Sequence, residues 1–324
     1  MRQRVKKREI VVTDDTLPAT TEIEERELEG IGSTIRPIKA SSEEDLIDKA
    51  HGCSAILAVN NPPVTGEVIK TLDKCRIIAR AGSGVDSIDI SAARENGVLV
   101  TNVESYCEAE VSDHAMALIL ACLRKVIELS NEVKNEAWDR KRIKPAHRLN
   151  ELTLGLVGLG KISRLVAKKA EPFGFRLIGF DPYVSETEFS KSAVKEASRE
   201  KLLESSDVIS IHAPLTNETK YMFGSQEFRK MKDSAYIVNT SRGKIIDEAA
   251  LIDALENDLL AGAGLDVLEK EPPERSSLFD LDNVIITPHV AWYSEESERE
   301  CRQKAAREIG RVLTGKGPIN PVNS

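Results

Sequence analysis

Short β-branched runs alternate with amphipathic stretches through the first hundred residues: Ile10-Val11-Val12, Thr34-Ile35-Arg36, Ala55 to Val59, Arg76 to Ala79, and Val98 to Thr101. Regular strand–helix alternation predicts a parallel α/β sheet, because connecting helices cover the faces of strands that follow one another in the same direction. A long helical pattern begins near Glu108, with apolar residues at Val111, Ala115, Leu118, Ile119, Cys122, Val126 and Leu129. That spacing predicts one buried stripe on a long helix. A second alternating series starts at Leu152 and continues through Leu177 to Phe180, Val208 to Ile211, Tyr236 to Asn239, Gly264 to Val267 and Val284 to Ile286. From Glu295 a charged helical pattern runs to about Leu313 and gives way to a Gly-Pro tail. The predicted fold class is α/β, with two doubly wound parallel sheets joined by long helices. No sequence repeat relates the halves, so any likeness between them is architectural.

Composition narrows the possible partners. The 324-residue chain is 41% apolar and 30% charged, long enough for two folded cores and unlike a disordered or low-complexity sequence. Its net charge of −8 disfavours an extended phosphate-binding face, so no direct nucleic-acid partner is expected. The basic cluster Arg2, Arg4, Lys6, Lys7 and Arg8 does not read as a secretory leader, because Ile10-Val11-Val12 is too short for an apolar core and Asp14-Asp15 ends it. The longest membrane-like stretch, Ala115 to Leu123, falls well short of the ~20 residues needed to span a bilayer. Cys53, Cys75, Cys107, Cys122 and Cys301 are scattered, odd in number and without a CxxC pair. Reduced thiols in a cytoplasmic protein are the economical reading, and no His/Cys set has metal-ligand spacing.

The most informative local stretch runs from Leu152 to Ser163, Leu-Thr-Leu-Gly-Leu-Val-Gly-Leu-Gly-Lys-Ile-Ser, followed by a helical pattern through Leu165, Val166, Ala170 and Phe173. A strand runs into a glycine turn and then a helix. Gly158 makes the tight turn, and Gly160 lets the backbone approach a pyrophosphate whose charge meets the free N–H groups at the helix start. Ser163 replaces the usual third glycine but is small enough to keep helix and strand packed. The next strand ends in Phe180-Asp181-Pro182, which places an acid 23 positions beyond Gly158, near the ~20 expected of a ribose-binding carboxylate. Asp181 can accept both ribose hydroxyls and would repel a 2′-phosphate, which argues for NAD over NADP. The bland alternative is a glycine turn in some other doubly wound domain, with Asp181 merely exposed.

A carbonyl that accepts hydride needs a proton donor at its oxygen and a group that holds the substrate carboxylate, for which histidine and arginine are the natural pair. The candidates are Arg242 in Asn239-Thr240-Ser241-Arg242-Gly243, Glu271 in the stretch from Gly264 to Pro272, and His289 in Thr287-Pro288-His289. All three follow predicted strands, and in an open parallel sheet ligands bind at the carboxyl ends of strands. Taken in order, Gly158-x-Gly160, Asp181-Pro182, His212-Ala213-Pro214-Leu215-Thr216, Thr240 to Gly243, Gly264 to Val267, Glu271-Pro272 and Pro288-His289 resemble the D-isomer-specific 2-hydroxyacid dehydrogenase family. The likeness spans almost the whole chain, and seven motifs in order are far more specific than any one.

That resemblance implies an NAD-dependent enzyme moving a hydride to or from C2 of a small 2-keto or 2-hydroxy acid of the phosphoglycerate, glyoxylate or hydroxypyruvate type. It assigns Arg242 to the keto acid, His289 to acid–base work and Glu271 to stabilising the protonated His289. It places Gly158, Gly160, Lys161, Ile162, Asp181, Pro182, Ala213, Pro214, Thr219, Thr240, Ser241 and Asp266 on the cofactor, with Asp266 near the carboxamide. The loop Ala81-Gly82-Ser83-Gly84-Val85-Asp86 resembles the family's substrate loop, with Ser83 and Gly84 in its carboxylate cradle. Arg80 either adds a charge-assisted bond there or is a surface residue ending a strand.

The loop from Val290 to Glu296 departs from the glycine-rich sequel usual after the histidine. It is similar to the branch containing the carboxy-terminal-binding-protein corepressors. In that branch Trp292 would wall the substrate pocket, against the alternative of plain core. The branch also supplies a rival from another class: an NADH-sensing binding module that recruits partners.

Two domains are expected, a discontinuous substrate domain of roughly residues 1–105 plus 291–324 and a dinucleotide domain of 106–290. No appended regulatory domain, and hence no control by serine, is expected. The apolar helix from Glu108 suits a homodimer face or burial within one chain. His114 reads as a helix-face residue near the boundary between domains, because Asp113 beside it points away. His51 and His147 have no visible carboxylate partner.

Overall fold

The apolar runs place bulky side chains on both faces of their strands, and the chain answers by laying helices on both. The computed structural model describes residues 8–13, 20–59 and 62–323. Arg2, Arg4, Lys6, Lys7 and the Asp14-Asp15 pair lie outside them. The chain divides into two compact units, Met1–Tyr106 with Ser294–Ser324, and Cys107–Tyr293.

In the first unit, strands β1 (Arg8–Thr13), β2 (Ser33–Ile38), β3 (Ala55–Ala58), β4 (Ile77–Arg80) and β5 (Leu99–Thr101) alternate with α1 (Glu22–Glu27), α2 (Glu43–Ala50), α3 (Gly66–Lys70) and α4 (Ile90–Glu95). The strands are parallel in the order β2-β1-β3-β4-β5, a flavodoxin-like arrangement. Ser42, Thr65 and Asp89 start α2, α3 and α4 by accepting a backbone N–H three residues on. On one sheet face Val11, Ile56, Ile78 and Val100 pack with Leu46, Val68 and Ala92. On the other, Ile10, Leu57, Ile77 and Ala79 meet Ala305, Ile309 and Val312 of the last helix of the chain, at Glu295–Leu313. This face is therefore closed by a segment that folds onto it after the whole second unit has been traversed. The C-terminal tail continues the closure: the Asn323 amide donates to the Val98 carbonyl and its oxygen accepts from the Val100 N–H. The tail thus covers the β5 edge, which would otherwise expose unpaired backbone groups.

The second unit contains α5 (Glu108–Leu123), α6 (Val126–Lys134), β6 (Thr153–Val157), α7 (Lys161–Ala170), β7 (Arg176–Phe180), α8 (Glu186–Phe189), β8 (Lys195–Glu196), α9 (Arg199–Ser205), β9 (Val208–Ile211), α10 (Ser225–Phe228), β10 (Tyr236–Asn239), α11 (Glu248–Glu256), β11 (Gly262–Leu265) and β12 (Val284–Ile286). The chain-final helix of the first unit is α12. The seven strands are parallel in the order β12-β11-β10-β9-β6-β7-β8. The chain moves outward from β6 in one direction, then returns and moves outward from β9 in the other. The Rossmann order and its topological switch point, between β6 and β9, follow from that path. Leu154, Leu156, Val208 and Val238 pack with Ala115, Leu118 and Ile119 of α5 and Val166 of α7 on one face, while Ile209, Ile211, Ile237 and Leu265 pack with Phe223, Phe228 and Leu251 on the other.

Two expectations differ from the structure, and one strand was not expected. The helix from Glu108 does not run unbroken through Leu129: α5 stops at Leu123, Lys125 turns left-handed at φ +50°, and α6 restarts. Val126 is 53% exposed, so the buried stripe ends at Cys122 and is consumed against β9, β10, β11 and α7 of its own unit. β11 spans Gly262–Leu265 rather than Gly264 to Val267, and Asp266, whose N–H still bonds the Asn239 carbonyl, turns its side chain to the loop after β12. The two-residue strand β8 carries Lys195 and Glu196, both exposed, and has no apolar pattern to announce it.

A buried ion pair fastens α12 to α1. The Arg302 guanidinium forks onto both Glu24 carboxylate oxygens at 2.7 Å and also donates to the Thr20 carbonyl, with Glu24 only 1% exposed. Removing one partner of such a pair leaves an uncompensated buried charge. Arg302→Met is expected to cost about 3–5 kcal/mol of stability in equilibrium urea unfolding. The double variant Arg302→Met/Glu24→Leu should recover most of that loss, and a double variant as unstable as the single would show that the pair is not the source.

Candidate active site

The carboxyl ends of β6, β7, β9, β10, β11 and β12 emerge on one side of the second sheet, and the loops that leave them carry the polar residues picked out in the sequence. At the switch point Gly158 has φ +84°, and a Cβ there would sit 3.0 Å from the His212 carbonyl and the Ala213 nitrogen. Only glycine satisfies both the left-handed turn and the close approach of the loop after β9. Space over Gly160 is open, and this residue caps α7 at its N-terminal end, where the helix dipole favours an anion. Ser163 is fully buried beside Val166, so the substitution of the third glycine keeps the helix in its packed place.

Asp181 follows β7 directly. One carboxylate oxygen accepts from Leu159 N, in the glycine turn, at 2.8 Å, and the other accepts from Tyr183 N at 2.9 Å. Each oxygen keeps a lone pair for a further donor. Beside it opens a cavity of about 390 Å³ lined by Phe180, Asp181, Pro182, Glu196, Ala197 and Ser198. Across the switch point, Thr219 Oγ1 donates to the Pro214 carbonyl and accepts from Thr216 N, bracing the loop that begins at Ala213. His212 is bonded through Nε2 to Ser210 Oγ at 2.9 Å, while its Nδ1 and the Thr240 hydroxyl are buried without a hydrogen-bond partner among the described residues. Burial pushes the His212 pKa down to about 4, so the ring is neutral near pH 7. A glycine cradle at the start of a helix, a carboxylate at the end of the next strand and two buried polar atoms without a partner among the described residues fit a bound dinucleotide.

The loop after β10 is shaped from within. Buried Asn239 accepts from Ser241 N at 3.0 Å and donates to the Arg242 carbonyl at 2.9 Å, and Ser241 Oγ donates to the Ile211 carbonyl. Arg242 Nη1 donates to the Ser241 carbonyl at 2.7 Å. Gly243 presses against the loop after β11 so closely that a Cβ would lie 1.9 Å from the Leu268 carbonyl oxygen. Leu268 N in turn donates to Glu271 Oε1 at 2.9 Å. Glu271 Oε2 bonds His289 Nδ1 at 2.6 Å. Burial pushes the Glu271 carboxyl up, but the hydrogen bond and charge of His289, the Leu268 amide and the Arg242 charge together hold it below the usual glutamate value.

His289 sits in the left-handed region, at φ +54°. Its N–H donates to the Asp266 and Thr287 carbonyls, and its own carbonyl accepts from Trp292 Nε1 at 3.1 Å. Trp292 is half-buried, edge-on to Tyr293, and so is not a core residue. The Asp266 carboxylate, 2% exposed, accepts from Thr287 Oγ1 at 2.6 Å, Val290 N at 3.0 Å and Ala291 N at 2.9 Å. Two residues escaped the sequence reading. Asn239 was only part of a motif, and His114 of α5, set aside as a helix-face histidine, meets Thr287 Oγ1 at 2.9 Å. With 173 residues between the last two, no local signal connects them.

In the first unit, Arg80 ends β4, and its guanidinium folds over its own loop, donating to the Ala81 carbonyl and filling the space beside Gly82. Asn102 Nδ2 holds the Ser83 carbonyl at 2.8 Å, and Val103 N holds that of Gly82. Ser83 is exposed and Gly84 half-buried.

A strand, a glycine turn, a helix and an acid at the end of the next strand define the second unit as a dinucleotide-binding domain. Residues 116–291 match the family model described as D-isomer specific 2-hydroxyacid dehydrogenase, NAD binding domain. The chain is 36% identical to a glyoxylate reductase of Korarchaeum cryptofilum over 87% of its own length and 86% of that protein's. It is 37% identical to a D-3-phosphoglycerate dehydrogenase of Methanocaldococcus jannaschii over 87% of its own length but only 54% of that protein, and so spans about half of such relatives. The solved D-lactate dehydrogenase of Aquifex aeolicus, complexed with NAD and lactic acid, superposes with a TM-score of 0.85 at 28% identity, covering 97% of this chain and 99% of that one. The chain therefore belongs to the D-isomer-specific 2-hydroxyacid dehydrogenase family, and its second unit is the family's NAD-binding domain. The corepressor branch suggested by the Trp292 loop finds no support in these relatives.

The contact at Gly243 makes a direct test of how tightly the two loops are coupled. Gly243→Ala forces a methyl into the Leu268 backbone and is expected to lower stability by about 1–3 kcal/mol, the usual cost of overpacking. An unchanged urea midpoint would show that the Glu271 loop yields freely.

Proposed function

We propose that this protein is an NAD-dependent D-2-hydroxyacid dehydrogenase that transfers a hydride between the cofactor and C2 of a small 2-keto or 2-hydroxy acid, of the glyoxylate, hydroxypyruvate or phosphoglycerate type. The observation that carries this reading is the 2.6 Å bond between His289 Nδ1 and Glu271 in an NAD-binding domain. NAD, when bound, supplies or takes the hydride. Gly158, Gly160, Lys161 and Ile162 would hold its pyrophosphate at the start of α7, and Asp181 with Pro182 would hold the adenosine ribose. Ala213, Pro214, Thr219, Thr240 and Ser241 would line the remainder, with Asp266 toward the carboxamide.

Because Nδ1 is committed to Glu271, Nε2 is the nitrogen that gives its proton to the carbonyl oxygen as C2 is reduced, and takes it back in the reverse direction. Arg242 holds the substrate carboxylate and polarises the carbonyl, since a guanidinium forks two N–H bonds where an ammonium offers a point charge. By family likeness we assign the loop carrying Arg80, Ser83 and Gly84 to the substrate's carboxylate, the first unit to substrate binding, and Trp292 to the pocket wall. The five buried cysteine thiols suit a reducing, cytoplasmic setting. Val126, Ile127 and Val133 of α6 and the 84% exposed Trp138 after it are the apolar surface on which a homodimer would form. The relatives named above carry enzyme names, which favours catalysis over the binding-module reading.

NADH-dependent reduction of glyoxylate, hydroxypyruvate, pyruvate and phosphohydroxypyruvate tests the assignment. Turnover of at least one is expected, with kcat/KM for NADH at least tenfold above that for NADPH because of Asp181; silence across the panel would favour the binding module. The second test isolates Glu271. Its negative charge stabilises the imidazolium, so in Glu271→Gln the protonated donor is lost at lower pH and the alkaline limb of keto-acid reduction moves toward acid by about one unit or more. A profile that overlays the wild type would leave Glu271 a structural carboxylate.

A further inference from the structure

His289 is held in a left-handed backbone conformation that a non-glycine residue keeps only when its surroundings over-determine it. What over-determines it is the Asp266 carboxylate, which gathers Thr287 Oγ1, Val290 N and Ala291 N from the two sides of the histidine. A hydroxyl has one proton. At 2.6 Å from a carboxylate that proton lies on the Asp266 side, so the bond between Thr287 Oγ1 and His114 Nε2 must take its proton from the imidazole. His114 therefore donates to Thr287, Thr287 donates to Asp266, and Asp266 collects the turn. The His114 ring also stands 3.6 Å from Asp266 Oδ1, close enough to support the buried carboxylate directly.

We propose that His114 is a positioning residue for the acid–base imidazole, acting through Thr287 and Asp266 on the turn 287–291. The chain of bonds fixes the hydroxyl rotor of Thr287 and keeps the Asp266 carboxylate oriented toward the two amides. Without the His114 donor, the Thr287 oxygen loses the hydrogen bond it accepts, so the turn loses one of the constraints that hold His289 at φ +54°. The assignment rests on the proposed dehydrogenase reading for its kinetic consequence, but not for its structural one. The two can therefore fail separately.

The test compares His114→Phe with His114→Gln in the full-length protein, since the glutamine amide keeps a donor near the place of Nε2 while phenylalanine keeps only bulk. Two measurements are made: steady-state keto-acid reduction, with NADH affinity followed separately by fluorescence, and amide hydrogen exchange at Val290 and Ala291. His114→Phe is expected to lower kcat at least tenfold with NADH affinity within twofold of wild type, and to speed exchange at both amides at least tenfold. His114→Gln should return both readouts to within about threefold. Thr287→Val should reproduce the His114→Phe loss, Thr287→Ser should not, and the His114→Phe/Thr287→Val double variant should be no worse than either single one, as expected for residues acting in series. These outcomes remain readable if His114→Phe folds poorly, because the Thr287 pair leaves α5 intact. Unchanged exchange at Val290 and Ala291 in both His114→Phe and Thr287→Val, or a His114→Gln variant no better than His114→Phe, would overturn the proposal. A wild-type protein silent across the substrate panel would sink the dehydrogenase reading alone and leave the exchange comparison to judge this one.

Discussion

The polar half of the second unit depends on one buried carboxylate. Asp266 leaves β11 with its backbone still bonded to the neighbouring strand, yet its side chain is spent on the next crossover, where it gathers a hydroxyl and two amides. A carboxylate this far from water is tolerated because nearly all its acceptor capacity is filled by donors at hydrogen-bonding distance. In return, it forces the 287–291 turn into a shape that aims the His289 ring at Glu271. The cost of a left-handed histidine, about 1–3 kcal/mol, is offset by bonds made on either side of it.

The same economy runs through the neighbouring loops. Asn239 stands to the Arg242 turn as Asp266 stands to the His289 turn: a buried polar side chain at a strand end that ties down the backbone just beyond. Gly243 then lets that turn lie against Leu268, whose amide fixes Glu271. Arg242, Glu271 and His289 are thus coupled through backbone contacts between successive crossovers, and the parallel sheet supplies the register that makes those contacts possible. Arg242 and His289 each lie three residues beyond a strand end, and Glu271 is tied back to its own strand's exit by the Leu268 amide, so all three are held close to the sheet.

Burial of opposite sheet faces explains why the chain must leave its first unit and come back. The face presented by Ile10, Leu57, Ile77 and Ala79 is covered by α12. The periodicity of α12 was plain in the sequence, but its destination was not. Arg302 would pass for one more charge on a solvated helix until its Glu24 partner, 278 residues away, is seen beneath it. Likewise the apolar series from Val111 to Leu129 has an unbroken helical period, and only packing decides that it stops paying attention to the core after Cys122. Beyond that point α6 turns Val126, Ile127 and Val133 outward.

Taken alone, the sequence determined what is local or periodic. Apolar runs placed eleven of the twelve described strands to within a residue or two, the glycine turn at Gly158 and Gly160 with Asp181 read as a dinucleotide site, and the ordered motifs around Arg242, Glu271 and His289 carried the family likeness. These are legible because helix and strand periods, turn glycines and strand-end acids each impose a constraint within some twenty residues. The tertiary structure alone decided which side chains support them. His114 lies on α5, while Asp266 and Thr287 directly follow β11 and β12, so their hydrogen bonds depend on where α5 crosses the ends of a sheet assembled from seven strands. A hydrogen bond acts over about 3 Å whatever the distance along the chain, so contacts of this kind leave no pattern in the sequence for a local reading to find.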